Sequence, residues 1–186
     1  MTTLVSSPYV EQDHLLQLSR LQPEFQATAH ALQTLRATSP KYAVEDYISS
    51  FNINEIVEQI RAEASQKGFP IPHQIYVIAF RSVLKPDIRS DPEKINLLYE
   101  ADKQSHAEAN ILGGLLKYWY GEPDRKTGHN LATCWWRSFE DAKKGGIGKA
   151  HRESVSRTRD WYSYWKVEQY ILQISEGDWQ WKPWLQ

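Results

Sequence analysis

The chain has 186 residues, 41% of them hydrophobic and 24% charged, which suits one globular domain with an appendage. The formal net charge of −1 argues against a global field that attracts nucleic acid or a membrane surface, and we predict neither partner. The single cysteine, Cys134, excludes an internal disulfide framework, and the absence of a basic start followed by an apolar run favours a cytoplasmic protein.

The pattern of apolar residues, prolines and glycines in residues 1–70 predicts a helical extension. Residues 1–22 are polar with scattered leucines, which indicates a loosely attached arm with a short helix over 11–20. Pro23 suits the first turn of a helix that continues to about Arg36. A helical piece near 43–50 and a helix over about 52–67 follow, the latter stopped by Gly68. The apolar stripes of these helices need a partner, so we predict that residues 1–70 pack on a second domain, residues 71–186.

The second domain begins with a strand. Residues 75–83 are a continuous apolar and β-branched run, typical of a buried central strand. After a loop at 85–90, Asp91 and Pro92 favour the start of a helix that ends before Gly113. The remaining pattern predicts strands at 115–120 and 131–137, a helix over 139–165 broken at 145–148, a strand at 166–174, and an edge strand in the tail.

This order of elements is that of a ferredoxin-like α+β domain, in which two helices cover one face of a four-stranded antiparallel sheet. The two helices leave the other face open, so either the N-terminal extension or a second subunit must cover it. Eight tryptophans and ten tyrosines would suit an interior, a pocket or a subunit interface. We predict a homodimer.

The motifs SHAEANILGGLLKYWYG and NLATCWWRS, followed by EDA and a histidine, resemble a family of uncharacterised proteins from fungi and bacteria. That family carries SHxEAxxxGGLLKYWFGxPD and RNLATCxWRSxEDA, whereas this chain has Tyr120 in place of Phe and His129 in place of Arg. The resemblance covers about half of the chain and implies one fold unit and a shared site, without naming a reaction. By topology alone, the domain also resembles the dimeric α+β barrel proteins, which include cofactor-free monooxygenases, haem-degrading enzymes and isomerases.

The helix over 92–111 carries the best candidates for chemistry. Its core-facing stripe includes Asp102 and His106, four residues apart, where apolar residues would be expected. A carboxylate beside an imidazole can orient it and raise its basicity, so we predict His106 as an acid/base group and Asp102 as its orienting partner. The alternative is a wet stripe edge at which both bond to serine or backbone groups. Glu108 lies off the stripe and is expected to be solvated.

Cations and aromatic rings in the strands could complete a pocket. Arg81 and Arg137 lie in strands otherwise made of core residues, where they could clamp an anionic ligand group. Tyr118, Trp135 and Trp136 would form the pocket wall. The alternative is that the cations lie at strand ends, or pair with acidic residues.

His151 follows the glycine run at 145–148, a flexible loop that would lie at the pocket mouth, and we include it among the ligand-binding residues. Backbone N–H groups in such a bend can bind an anion, but the run lacks a phosphate-loop spacing. The six histidines show no HxxxH or HxH spacing, so we predict no metal site, and the cofactor is left open.

The predicted function is a small-molecule-binding α+β protein. As an enzyme, it would perform acid/base or cofactor-free oxidative chemistry on an aromatic or polyketide-like compound. One alternative is a non-catalytic binder of haem, a pigment or another aromatic ligand. The other is a structural or interaction protein whose aromatic residues form a dimer interface.

Overall fold

The computed structural model describes residues 2–185, so that Met1 and Gln186, the outer ends of the two predicted regions, lie outside the described residues. The helices are α1 (Pro23–Ala31), α2 (Tyr47–Ser50), α3 (Ile53–Lys67), α4 (Pro86–Arg89), α5 (Pro92–Leu112), α6 (Phe139–Gly146) and α7 (Lys149–Thr158). The strands are β1 (Thr3–Leu4), β2 (Leu16–Gln17), β3 (Gln74–Leu84), β4 (Leu115–Tyr120), β5 (His129–Trp136), β6 (Tyr162–Ile174) and β7 (Trp179–Pro183). None of these helices is both long and apolar enough to cross a membrane.

The main sheet has the strand order β4-β5-β3-β6-β7, and every neighbouring pair is antiparallel. Strands β3 to β6 with α5 and the α6–α7 segment form the ferredoxin-like core, which confirms the predicted fold class. The strand β7 extends this core at the β6 edge. β6 begins at Tyr162, earlier than predicted, because α7 ends at Thr158 and a single 3₁₀ turn leads directly into the strand.

Local signals at both ends of α5 determine how the helix meets the sheet. The Asp91 side chain accepts hydrogen bonds from the backbone N–H groups of Glu93 and Lys94, at 3.0 and 3.2 Å, and Pro92 occupies the first turn. At the other end, Gly113 and Gly114 have φ of 86° and 88°. This left-handed backbone favours glycine and returns the chain from α5 into β4.

The two faces of the sheet carry different layers. Side chains from α1, α2 and α3 share a buried cluster with residues of β3, β4, β5 and β6, such as Val77, Trp135 and Leu172. On the opposite face, a second cluster includes Tyr76, Tyr118 and Trp136 together with residues of α5 and α6. The N-terminal helices therefore cover the sheet face for which the sequence left a second subunit as an alternative.

The arm formed by residues 2–22 differs from its prediction. It contains the short β1–β2 pair and two 3₁₀ turns, Gln12–His14 and Leu18–Arg20, instead of a helix over 11–20. His14 and Leu18 are buried, and the carbonyl of Ser6 accepts a 2.8 Å hydrogen bond from the Tyr118 backbone. The prediction of a loose arm was wrong because its scattered leucines and His14 are anchors.

Candidate ligand site between α5 and the sheet

Asp102 lies in the middle of α5 and faces the edge strand β4. Its two carboxylate oxygens accept hydrogen bonds from two phenols: Tyr118 donates to Oδ1 at 2.7 Å, and Tyr9 of the arm donates to Oδ2. Burial raises the pKa of Asp102, and the two phenol hydrogen bonds oppose this rise. Burial, followed by the charge of Asp102, holds the pKa of Tyr118 well above its usual range. The phenols therefore act as donors and the carboxylate as their acceptor.

His106, one helical turn after Asp102, pairs with His14 of the arm. The two Nδ1 atoms are 2.8 Å apart, and the rings stack with centroids 5.0 Å apart. At this distance one Nδ1 carries a proton and donates a hydrogen bond, and the other Nδ1 accepts it as a lone-pair acceptor, so the two imidazoles adopt opposite tautomeric roles. Nε2 of His106 is buried without a hydrogen-bond partner in the described part of the chain. The free nitrogen is thus the unused polar group of this cluster.

Electrostatics keep His106 neutral. Burial lowers its pKa to about 3, and the neighbouring His14 contributes in the same direction. Burial also lowers the pKa of His14. Around neutral pH the site therefore holds two neutral imidazoles next to a carboxyl group and two phenols.

The arm is fixed across the opening between α5 and the edge of β4. On the strand side, Ser6 bonds to the β4 backbone as described above. On the helix side, the Asn110 side chain donates to the carbonyls of Asp13 and Leu15, at 2.8 and 3.1 Å, and Lys103 forms an ion pair with Glu11. These contacts place Tyr9 and His14 over Asp102 and His106. Sequence reasoning missed both arm residues, because no spacing pattern links them to α5.

Three of the predicted site residues come together: Asp102, His106 and Tyr118. The rings of His106 and Tyr118 have centroids 5.6 Å apart. The predicted pairing of Asp102 with His106 was wrong, however, because phenols occupy both oxygens of Asp102 and Nδ1 of His106 faces His14. The catalytic roles of the two residues stay a prediction.

Trp135 and Trp136 lie on opposite faces of the sheet. Trp136 shares the cluster of Tyr118 and packs against α6 at Gly145. Trp135 is buried under the N-terminal helices, where its Nε1 donates to the Tyr47 hydroxyl at 3.0 Å. The prediction that Trp135 shares a pocket wall with Tyr118 was wrong, since adjacent strand residues point to opposite faces.

Arg81 is also on the face of the N-terminal helices. Its guanidinium forms a 2.8 Å ion pair with Glu168 and donates to the carbonyls of Tyr42 and Glu45, at 3.0 and 2.7 Å. The guanidinium is therefore engaged by one carboxylate and two loop carbonyls on this face of the sheet. The prediction that Arg81 binds an anionic ligand group at the α5 site was wrong for this reason.

Arg137 and His151 form their hydrogen bonds with residues other than Asp102 and His106. Arg137 follows the end of β5 and bonds to Asp141 at 2.9 Å and to Gln22 at 3.0 Å, which matches the alternative of a strand-end cation with an acidic partner. His151 is half-buried on α7. Burial lowers the pKa of His151, whereas the charges of Glu108 and Asp102 oppose that shift. The charge of Asp102 therefore contributes to the pKa of His151 after burial and Glu108.

Glu108 occupies the N-terminus of α7. Its carboxylate accepts from the backbone N–H groups of Lys149 and Ala150, both at 2.8 Å, and of His151 at 3.4 Å. A carboxylate from α5 thus takes the anion position that the glycine run offers. The expectation that Glu108 is solvated was wrong for this reason.

Two open surface grooves, one along α7 at His151 and Arg152 and one between α1 and α3, include neither Asp102 nor His106. Within residues 2–185, no three histidine, cysteine or acidic side chains lie close enough together to hold a metal ion. With the arm in this position, Tyr9 and His14 fill the space next to Asp102 and His106.

Comparison with known proteins places the chain in a family. The hydroxynitrile lyase of Passiflora edulis aligns with a TM-score of 0.43 and 17% identity, over 57% of this chain and 98% of that one. Rv0793 from Mycobacterium tuberculosis aligns with a TM-score of 0.41 and 20% identity, over 56% of this chain and 99% of that one. UPF0643 protein PB2B2.08 of Schizosaccharomyces pombe is 48% identical over 174 residues, which are 92% of this chain and 79% of the relative. The family model described as PB2B2.08-like matches residues 5–183. These last two matches confirm the family resemblance carried by the motifs SHAEANILGGLLKYWYG and NLATCWWRS: the chain belongs to the PB2B2.08-like family.

Proposed function

We propose that this protein binds a small aromatic molecule between α5 and the sheet and acts on it by acid/base chemistry, with His106 as the base. The observation that carries the proposal is Nε2 of His106, which is buried without a partner in the described part of the chain, one helical turn from Asp102. A buried polar atom without a partner costs about 1–3 kcal/mol. Such a cost, in a cluster of groups with shifted pKa values, is typical of functional sites.

The chemistry follows from the groups that are present. Asp102 would accept a hydrogen bond from a ligand hydroxyl, and Tyr118 and Trp136 would contact the ligand ring. In the tautomer that has its proton on Nδ1, His106 would accept a second proton at Nε2 from a carbon acidified by the ring system. The resulting carbanion can react with molecular oxygen without a cofactor: a CH₂ group and O₂ give a C=O group and one water molecule.

The position of the arm controls how strong a base His106 can be. A pKa of about 3 makes it a weak base while the arm is in place. Both causes of that low pKa, burial and the neighbouring His14, decrease when the arm moves away. The pKa of His106 would then rise toward the ordinary value of about 6.5, where an imidazole is an effective base at neutral pH.

Anthrone, a three-ring ketone with an acidified CH₂ group, is a suitable probe substrate. Its oxidation would be measured as the consumption of oxygen and as the increase in the absorbance of anthraquinone. We expect turnover by the native protein and a loss of about 100-fold or more in His106→Gln. His30→Gln, at a partly exposed histidine of α1, is the control. Absence of turnover by the native protein would reject the oxidation, and equal rates for His106→Gln would reject the role of His106.

A structural or interaction role is the second candidate, and the filled space around Asp102 and His106 favours it. A protein of this kind would bind neither anthrone nor smaller phenols at the site. Binding without turnover would instead support a non-catalytic binder of aromatic ligands.

A further inference from the structure

Tyr9 lies where a ligand of the proposed site would be bound. Its hydroxyl donates to Asp102, and its ring centroid is 4.9 Å from that of His14 and 5.5 Å from that of His106. The Lys103 ammonium lies 6.0 Å from the same ring centroid. An acceptor for the hydroxyl, two imidazole rings and a cation thus surround one phenol.

This phenol belongs to a segment that is held to α5 by a surface ion pair, Lys103 with Glu11, and by the hydrogen bond from Asn110 to the Asp13 carbonyl. Between residues 8 and 13, Tyr9 alone is not exposed, and the neighbouring Val10 is 68% exposed. The segment bridges the opening between the β4 edge and α5 by the contacts of Ser6 and Asn110 described above. Withdrawal of Tyr9 would therefore open a space of phenol size without taking apart either sheet–helix cluster.

We propose that the site takes a phenol, a hydroxylated aromatic ring whose hydroxyl replaces that of Tyr9 on Asp102, and that residues 8–13 move away as the ligand enters. The inference rests on the proposed function only for the location of the site between α5 and the sheet. Tyr9 is then an internal competitor, and the apparent affinity for a phenol is reduced by the fraction of molecules in which the segment is closed.

The hydroxyl provides the selectivity. An aromatic compound without it would leave one Asp102 oxygen without the donor that Tyr9 supplies in the closed state. One hydrogen bond to a buried carboxyl oxygen corresponds to a preference of about tenfold for the hydroxylated compound.

The probe is p-cresol, which has the structure of a tyrosine side chain, and toluene is its matched analogue without the hydroxyl. In the full-length chain, Tyr9→Ala should bind p-cresol at least about tenfold more tightly than the native protein, because the internal competitor is gone. The same variant should prefer p-cresol over toluene by a similar factor, and adding Asp102→Asn should reduce that preference. Tyr42→Ala, which removes a partly buried tyrosine on the other sheet face, should leave p-cresol binding as in the native protein.

Hydrogen exchange of the native protein reports the movement of the arm. The backbone N–H groups of His14 and Leu15 bond to the carbonyls of Glu11 and Gln12, at 2.9 and 3.2 Å, so both should be protected. Saturation with p-cresol should increase their exchange rates, and toluene at equal concentration should not.

The two proposals fail in different ways. Equal binding of p-cresol and toluene by Tyr9→Ala, or unchanged exchange of His14 and Leu15, would overturn the phenol site whatever happens to anthrone. Phenol binding with arm opening but no turnover of any probe would leave the phenol site standing and reject the catalytic role of His106.

Discussion

Lowering the pH from about 7 to about 5 should destabilise the fold through His106 by about 2 kcal/mol. Its pKa is about 3 in the folded protein, against about 6.5 in an unfolded chain. At about pH 5 the unfolded state binds nearly one proton at this residue, and the folded state binds almost none. The contribution of neutral His106 to the free energy of unfolding is therefore lost progressively as the pH falls from the pKa of the unfolded chain, about 6.5, toward that of the folded protein, about 3.

The sign of this effect is opposite to that of Asp102. Burial raises the pKa of Asp102, so the folded state takes up a proton more readily than the unfolded state there. This contribution favours the fold as the pH falls. Burial lowers the pKa of His14, which acts in the same direction as His106. A comparison of the native protein with His106→Gln removes the His106 contribution and keeps Asp102 and His14 in both chains.

The assay is unfolding in urea, monitored by the fluorescence of the eight tryptophans of the chain. The free energy of unfolding is measured for both proteins at about pH 7 and about pH 5, and His106→Gln should lose about 2 kcal/mol less than the native protein. His73→Gln, at an exposed residue before β3, controls for the loss of a histidine as such. Equal losses for the native protein and His106→Gln would refute the reasoning, since His106 would then titrate in the fold as it does in the unfolded chain.

Two further predictions concern packing on either side of the sheet, measured by the same unfolding assay. Gly145→Ala should lower the free energy of unfolding by about 1–3 kcal/mol, because the new Cβ would lie 2.4 Å from the buried Trp136 ring. In the adjacent Gly146→Ala, the new Cβ meets nothing within 4 Å, so this variant should be neutral or stabilised by up to about 0.5 kcal/mol. Tyr47→Phe should cost about 1–3 kcal/mol, because the buried Trp135 N–H loses its acceptor. Equal effects of the two alanines, or an unchanged stability of Tyr47→Phe, would contradict these assignments.

Local signals account for the parts of the fold that could be predicted. The apolar run of β3 identified the central strand, and Asp91 with Pro92 identified the start of α5, since both signals act within a few residues. The glycines at 113 and 114 marked the return of the chain into β4. The short helix α4, at 86–89 within the predicted loop, and the early start of β6 lacked such signals, because a single turn is fixed by what it packs against.

Strand alternation held part of the answer for the site. Within β5 it separates Trp135 from Trp136, so the two cannot share one pocket wall. Which of them lies on the face of Tyr118 depends on the register of β4 with β5, in which Tyr118 pairs with Cys134 and Lys117 with Trp135. Burial of Arg81 against Glu168 depends likewise on the register of β3 with β6, in which Arg81 faces Lys166 and Ala79 faces Glu168. A register of this kind links residues far apart in sequence, and a single amino-acid sequence does not reveal it.

The arm shows why the site itself was only half predictable. A helical spacing of four placed Asp102 and His106 on one face of α5, and this much follows from backbone geometry. Which groups they would meet depends on Tyr9 and His14, more than 90 residues earlier, in a segment whose polar composition favours a loose arm. A tyrosine and a histidine in such a segment carry no pattern, yet Tyr9 donates to an oxygen of Asp102 and His14 shares a hydrogen bond with Nδ1 of His106. The residues that the sequence conceals are therefore the ones that decide whether Asp102 and His106 are open to a ligand.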